Sequence, residues 1–379
     1  MAELHEFDNS FKLTKISLFL SGINLSMKRS IPLNFLFIFN FVWLFIDVFG
    51  EFYWVIEGVR AGKSFEELSV IVPCTVICFL ATFRCVPLYL NNKLLANIFD
   101  KLREIHPTSE FKENEIKKEE KEITARAVKL FNNLIIFMVI ANSCVVIAFC
   151  LLPLLLMAID YQKTGEIELK LPFLVKYFFD PFTMTKWPFV YLHHIWSTFI
   201  VVLYLFGADT FFHACCIYLR MHFELLCSRL EKVVTNSKKD TEERLRACIL
   251  RHQELIALVE LMEQLYSKSF LFNIMLSSVL ICLGGFNIVF SKQFGQVFAY
   301  VNFLVMCMYQ IFMICYFGDM VVISVIFFIN KQTCYGSFFR SQKPCTLTAA
   351  KFATLNLRAF TTILSRSWSY FALLRTMYN

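Results

Sequence analysis

Apolar residues along this chain fall in long blocks, and charged residues collect between them. A bilayer core of about 30 Å takes roughly 20 mostly apolar helical residues. Seven blocks meet that length and predict spanning helices at about 32–54, 68–90, 130–157, 189–217, 270–290, 297–323 and 351–378. The links are patterned too. Residues 115–129 are dense in Lys and Glu, with opposite charges three and four apart, which predicts a solvated helix. Leu226, Leu230, Val233, Leu245, Ile249, Ile256 and Val259 recur at helical spacing, with Thr241 as a predicted N-cap before Glu242 and Glu243. Spans four and five are thus expected to run on beyond the membrane. Residues 320–330 stay apolar enough to extend the sixth helix. The predicted fold class is an all-α membrane protein.

Composition strengthens this reading. Apolar residues make up 57% of the chain and charged residues 18%, against about 45–50% and about 25% in a soluble domain. Charge then sets orientation. The links after spans two, four and six carry most of the Lys and Arg, so they are expected in the cytoplasm. Seven spans then place the N-terminus inside and the C-terminus outside, opposite to G-protein-coupled receptors. Neither D/E-R-Y nor N-P-x-x-Y occurs at the positions those receptors use. Residues 1–31 are expected to form a cytoplasmic tail without a cleavable signal, able to lie as an amphipathic piece on the membrane surface. Residues 32–378 form the helical domain, with cytoplasmic extensions at about 217–268 and 324–350. The net charge of +7 suits loops beside anionic lipid rather than a nucleic-acid partner.

Candidate chemistry is sparse. Most of the 14 cysteines fall in or near apolar blocks, which assigns them packing roles. No zinc-type cysteine spacing occurs, and no metal or other cofactor is expected. His193-His194 has no acid or further histidine nearby in sequence, so the pair is expected on the surface or in packing. Arg84 and Asp319 sit near predicted helix ends, where snorkelling or end-pairing is expected. No nucleophile or acid–base constellation is visible, so an enzyme is not expected. Span seven is distinctly polar. Thr354, Arg358, Thr361, Ser365, Ser369, Ala372 and Thr376 step by three and four along one face. Such a stripe suits either a pore lining or a tight helix-packing face. The outer halves of spans two to six are rich in aromatic residues, including Phe286 and Phe290. Phe79, Ile147, Phe149, Trp196, Phe199, Tyr300 and Phe303 are the candidate lining of an apolar ligand pocket, although ordinary packing uses the same residues.

Several motifs resemble those of insect odorant receptors. Arg340-Ser341-Gln342-Lys343-Pro344, Leu347-Thr348-Ala349-Ala350-Lys351-Phe352, Leu355-Asn356-Leu357 with Phe360, and Ser369-Tyr370-Phe371-Ala372-Leu373-Leu374-Arg375 are similar to that family's C-terminal signature. Leu171-Pro172-Phe173 with Tyr177 and Asp180-Pro181-Phe182 resembles its second outer loop. Gly207-Ala208-Asp209 with His222-Phe223-Glu224-Leu225-Leu226 resembles its fourth helix. One departure stands out. Only residues 320–339 separate Gly318-Asp319 from Arg340, with Tyr335 and no Trp, where the family has a longer cytoplasmic helix.

The resemblance implies a ligand-tuned subunit of a heterotetrameric cation channel, partnered by a shared co-receptor. It implies a small volatile organic ligand held between helices two to six, and a central pore lined by the seventh helices. On that pattern Leu373 and Met377 fall at the gate and Thr376 at a polar pore position. It further implies the plasma membrane, in the dendrites of olfactory sensory neurons. A gustatory-type chemoreceptor channel is the alternative within related proteins, and a transporter is the alternative from another class.

Overall fold

The computed structural model describes residues 2–28, 30–107, 114–234, 237–290, 294–333 and 346–378. In chain order the helices are α1 (Ala2–Ser10), α2 (Lys12–Leu20), α3 (Ile31–Arg60), α4 (Phe65–Ser69), α5 (Val72–Leu90), α6 (Asn92–Glu104), α7 (Asn114–Thr164), α8 (Trp187–Glu231), α9 (Lys238–Phe290) and α10 (Phe294–Thr333). A short hairpin, β1 (Thr348–Ala349) and β2 (Ala353–Thr354), precedes the last helix, α11 (Leu357–Tyr378). Six helices among the described residues are long and apolar enough to cross a bilayer: 31–60, 67–90, 118–164, 187–231, 238–290 and 300–329. Helix α11 has 22 residues, about 33 Å at 1.5 Å per residue. It has the length for a span but not the apolarity.

Helix α8 is the centre of the bundle. Its buried residues run from Val190 to Leu230, and α2, α3, α5, α7, α9 and α10 all pack on it. The predicted extensions are continuous helix: α7 joins residues 115–129 to span three, and α8 and α9 carry spans four and five past the apolar zone. Ion pairs tie the ends that carry the basic links. Arg229 Nε meets Glu120 Oε1 at 2.7 Å, and Lys232 Nζ meets Glu119 Oε2 at 2.5 Å. Residues 320–330 do extend the sixth span within α10. The segment 334–345, with Tyr335 and Arg340–Pro344, lies outside the described residues.

Four local expectations need correction. Ser237, not Thr241, caps α9, accepting from Asp240 N at 3.4 Å, because the helix starts one turn earlier. The N-terminal segment does not merely rest on a membrane surface. Phe7, Phe11 and Leu18 are buried in the main core, and Ser10 and Thr14 hydrogen-bond Tyr218 and Thr210 of α8. Burial there pushes His106, packed beside Phe7, down to about 4. Arg84 does not snorkel. It is buried, ion-paired to Asp209 of α8, and donates from Nε to the Asn273 amide oxygen of α9 at 2.9 Å. Residues 351–356 are not helical. Thr348 N donates to Glu263 Oε2 at 2.7 Å and Ala350 N to Ser267 Oγ at 2.9 Å, which holds the hairpin on α9. Ala350 and Lys351 turn with φ of 49° and 64°. Asn356 then caps α11 by accepting from Ala359 N at 2.8 Å. Gly318 permits the hairpin's approach: a Cβ there would lie 2.7 Å from Leu355 Cβ.

All the described cysteines are free, and most are buried or partly buried. Cys215 and Cys216 sit in the main core and Cys307 and Cys315 against α11, where a small apolar side chain fits.

The Arg84–Asp209 pair gives a stability prediction. Removing one partner of a buried pair costs about 3–5 kcal/mol. Arg84→Ala and Asp209→Ala are each expected to lower the melting temperature of the detergent-solubilised chain. The apolar pair Arg84→Met/Asp209→Leu is expected to recover most of the loss. Heating followed by size-exclusion chromatography reads both effects.

Candidate functional site

Helix α11 has two unlike faces. Ile363, Ser367 and Phe371, four residues apart, are buried. Ile363 packs with Leu280, Ile281, Cys307 and Ile311, and Phe371 packs with Cys282 and Phe286. Gly285 lets the Phe371 ring close in: a Cβ at that glycine would stand 3.3 Å from Cδ2. The opposite face is open. Arg358, Thr361, Ser365, Ser369, Ala372 and Thr376 are all exposed in this chain, and Thr354, the first position of the predicted stripe, is exposed in β2 before the helix begins. The stripe is therefore not a packing face within the subunit.

The three pore candidates lie at the far end of that open side. Leu373 is 59% and Met377 77% exposed, and Thr376 is exposed with them. The Thr376 hydroxyl donates to Leu373 O at 2.8 Å. Ser369 and Thr376 thus tether their hydroxyls to carbonyls of their own helix, Ser365 O and Ala372 O, and still present oxygen to the outside. Leu373 and Met377 add apolar bulk one turn apart.

The seven pocket candidates do not form one group. Phe149 of α7 and Phe303 of α10 meet edge-on at 5.7 Å, and Phe173 of the loop between α7 and α8 adds a ring 5.8 Å from Phe149. Tyr300, three residues before Phe303, is buried. Trp196 and Phe199 pair with each other at 5.7 Å on α8 and are partly open. Phe79 turns toward α3, with Phe45 at 6.2 Å and Phe52 at 6.3 Å. Ile147 is 55% exposed. A cavity of about 520 Å³ exists elsewhere, at the end that carries the basic links. Arg126, Arg220, Glu224, Tyr316, Asp319 and Leu357 help line it, and none of the seven candidates does. Its charged rim suits water and ions better than an apolar ligand.

Sequence spacing missed one assembly. Asp47 of α3 stands against His193 and His194 at the start of α8. The sequence contains only a hint of it, an acid inside an apolar span, since the partners come from distant helices.

A bundle of long apolar helices around a buried central one, with a last helix polar on its open side, defines a polytopic membrane protein. The family model for the 7tm odorant receptor matches residues 64–324, more than half of the chain, and the chain belongs to that family. Odorant receptor 67c of Drosophila melanogaster is 26% identical over 88% of this chain and 85% of its own length. Odorant receptor 13a of the same species is 29% identical over 62% of this chain and 64% of its own length. The fold is similar to the olfactory receptor OR5 from Machilis hrabei, solved alone with a TM-score of 0.77 and in complex with eugenol with a TM-score of 0.80. The eugenol complex is 16% identical and matches 99% of this chain and 100% of that one. The seven-helix class expected from sequence agrees with this likeness. Family membership also sets the chain among receptors rather than enzymes.

The two faces of α11 predict opposite sensitivities. Phe371→Ala leaves a hole against Phe286. It is expected to lower stability by about 3 kcal/mol, the low end for a buried Phe, since lipid rather than water borders the bundle. Thr376→Ala removes an exposed hydroxyl and is expected to leave stability unchanged. Thermal unfolding of the purified chain measures both.

Proposed function

We propose that the chain is the odorant-binding subunit of a heteromeric ligand-gated cation channel that senses small volatile organic molecules. The observation that carries this reading is the open polar stripe of α11. A spanning helix rarely turns six small or polar positions to lipid, because unsatisfied polar groups in hydrocarbon are costly. A water-filled axis shared with partner subunits gives that face a favourable neighbour. Leu373 and Met377 form the apolar gate in this reading, and Thr376 is a polar lining position. An apolar ring holds out ions by refusing to replace their hydration shell.

The partner is a co-receptor subunit, and the assembly is a heterotetramer. The N-terminus is cytoplasmic in this reading, which the Lys and Arg distribution supports, and the complex belongs to the plasma membrane of olfactory dendrites. The ligand occupies the outer half of the bundle near Phe149, Phe303, Phe173 and Tyr300, where aromatic rings from two helices and a loop converge. Trp196, Phe199, Phe79 and Ile147 complete the lining only if the helices shift when ligand binds. Eugenol, bound by the olfactory receptor from Machilis hrabei, illustrates the size and chemistry such a pocket takes.

Expression with and without the co-receptor tests the reading. Odorant-evoked cation current is expected only with the co-receptor. Robust current from the chain by itself supports the homomeric, gustatory-type alternative instead. In the heteromer, Leu373→Ser is expected to raise basal current and Thr376→Ala to alter permeation without leaving the channel open. Unchanged basal current, selectivity and block in both variants would remove this turn of α11 from the pore. A tag at the C-terminus is expected to label on intact cells. Labelling only after permeabilisation contradicts the orientation.

A further inference from the structure

Away from α11 and the aromatic cluster, three ligating side chains meet where α3 crosses the start of α8. His193 Nδ1 lies 3.1 Å, and His194 Nε2 3.9 Å, from Asp47 Oδ1. One donor atom from each of the three residues falls within 4.8 Å of the others. A tetrahedral ion with bonds of about 2.0–2.2 Å spaces its ligands roughly 3.3–3.6 Å apart. The two separations from Asp47 Oδ1 bracket that value.

The groups are also short of partners. Asp47 is 2% exposed, and its Oδ2 makes no hydrogen bond. His193 Nε2 and His194 Nδ1 make none either, and His193 Nδ1 contacts Asp47 Oδ1. A buried carboxylate with unused lone pairs is costly, and a cation is the partner that satisfies it. The surroundings hold the ligands in place. The Trp43 indole donates to His193 O at 3.3 Å, and its ring stacks on the His193 imidazole at 4.7 Å. Tyr177 of the loop between α7 and α8 hydrogen-bonds His194 Nε2 at 2.8 Å and reaches Asp47 Oδ1 at 3.5 Å. Its hydroxyl is the group an incoming ion displaces. The His193 side chain is 15% exposed, so protein atoms do not seal the site completely.

We propose that Asp47, His193 and His194 form a binding site for a divalent transition metal of the Zn²⁺ type. Two imidazoles and one carboxylate suit borderline cations of this kind, whereas Ca²⁺ and Mg²⁺ call for an all-oxygen shell. The bound ion joins α3 to α8 at the end of the bundle opposite the basic links. This site is independent of the odorant and pore assignments, and its test does not depend on current.

The test is Co²⁺ titration of the purified full-length chain in lipid nanodiscs, with Zn²⁺ as competitor. One Co²⁺ per chain is expected, with ligand-field absorption that Zn²⁺ abolishes. Loss of even an outer partner weakens metal binding about 10–100-fold. His193→Gln and Asp47→Asn, each removing a direct ligand, are therefore expected to weaken Co²⁺ by at least about tenfold. Their melting temperatures without metal show whether the fold is kept. Should a variant fail to fold, copper paramagnetic resonance of the unsubstituted chain reads the site directly, and nitrogen couplings from two imidazoles are expected. Undiminished Co²⁺ binding in folded His193→Gln overturns the site. So does a signal abolished by thiol alkylation, which would move the metal to cysteine, or the absence of imidazole couplings.

Discussion

The middle of helix α8 cannot face lipid, and the arrangement of the rest follows from that. It carries Asp209, Thr210 and His213, and hydrocarbon offers such groups nothing to bond with. The bundle therefore closes around this middle stretch of α8, residues 200–219, while Phe189 and Leu192 nearer its start stay exposed. Arg84 comes from α5 to pair with Asp209 and engage Asn273 of α9. Thr14 comes from α2 to Thr210, and Ser17 donates to Leu203 O at 2.9 Å. Tyr266 of α9 donates to Ala208 O at 3.2 Å. Gly207 and Ala208 keep the helix slim at this level, and Leu18 packs close over Gly207. Apolar attraction between helices is weak in lipid, so small residues and polar contacts of this kind give the packing its specificity.

With the middle of α8 enclosed, α11 takes a place at the periphery. It touches α9 and α10 along one side, through Ile363, Ser367 and Phe371 flanked by Phe360, Leu364 and Leu374, and the hairpin on Glu263 fixes its start. The remaining surface of α11 is free to meet other subunits or water. A last helix held by one seam and polar along the other side can shift without breaking the core. That mechanical independence is what a proposed pore helix needs if ligand binding elsewhere is to move it.

The sequence made the spans legible because length and apolarity are one-dimensional properties. The predicted extensions of α7, α8 and α9 were equally legible, since leucine and charge spacing continue through residues 115–129 and 226–259. The polar stripe of α11 could be counted from the same periodicity, but not which way it faces. That depends on Phe371 finding Gly285 on another helix. Nor could spacing distinguish a helix from a hairpin at 351–356, where Glu263 and Ser267 decide the matter from α9. Arg84 read alone resembles a snorkelling or end-paired cation, and His193-His194 read alone resembles a surface or packing pair. Their acids, Asp209 and Asp47, lie on other helices. The aromatic candidates scattered for a related reason: phenylalanine is used throughout the chain for ordinary packing, as Phe79 shows by turning to α3.

The most direct test of a water-filled path along α11 is cysteine accessibility in the heteromer. Ser365, Ser369 and Thr376 are replaced singly by Cys, with Ser367 as the control from the buried face of the same helix. A charged, membrane-impermeant thiol reagent is then applied during ligand-evoked current, against the unsubstituted channel as background. Rapid modification and altered current at Ser365→Cys, Ser369→Cys and Thr376→Cys, with none at Ser367→Cys, are the outcome expected of a pore lining. Equal silence at all four positions would show that the stripe meets a neighbouring helix rather than water, and would contradict the channel reading of this face.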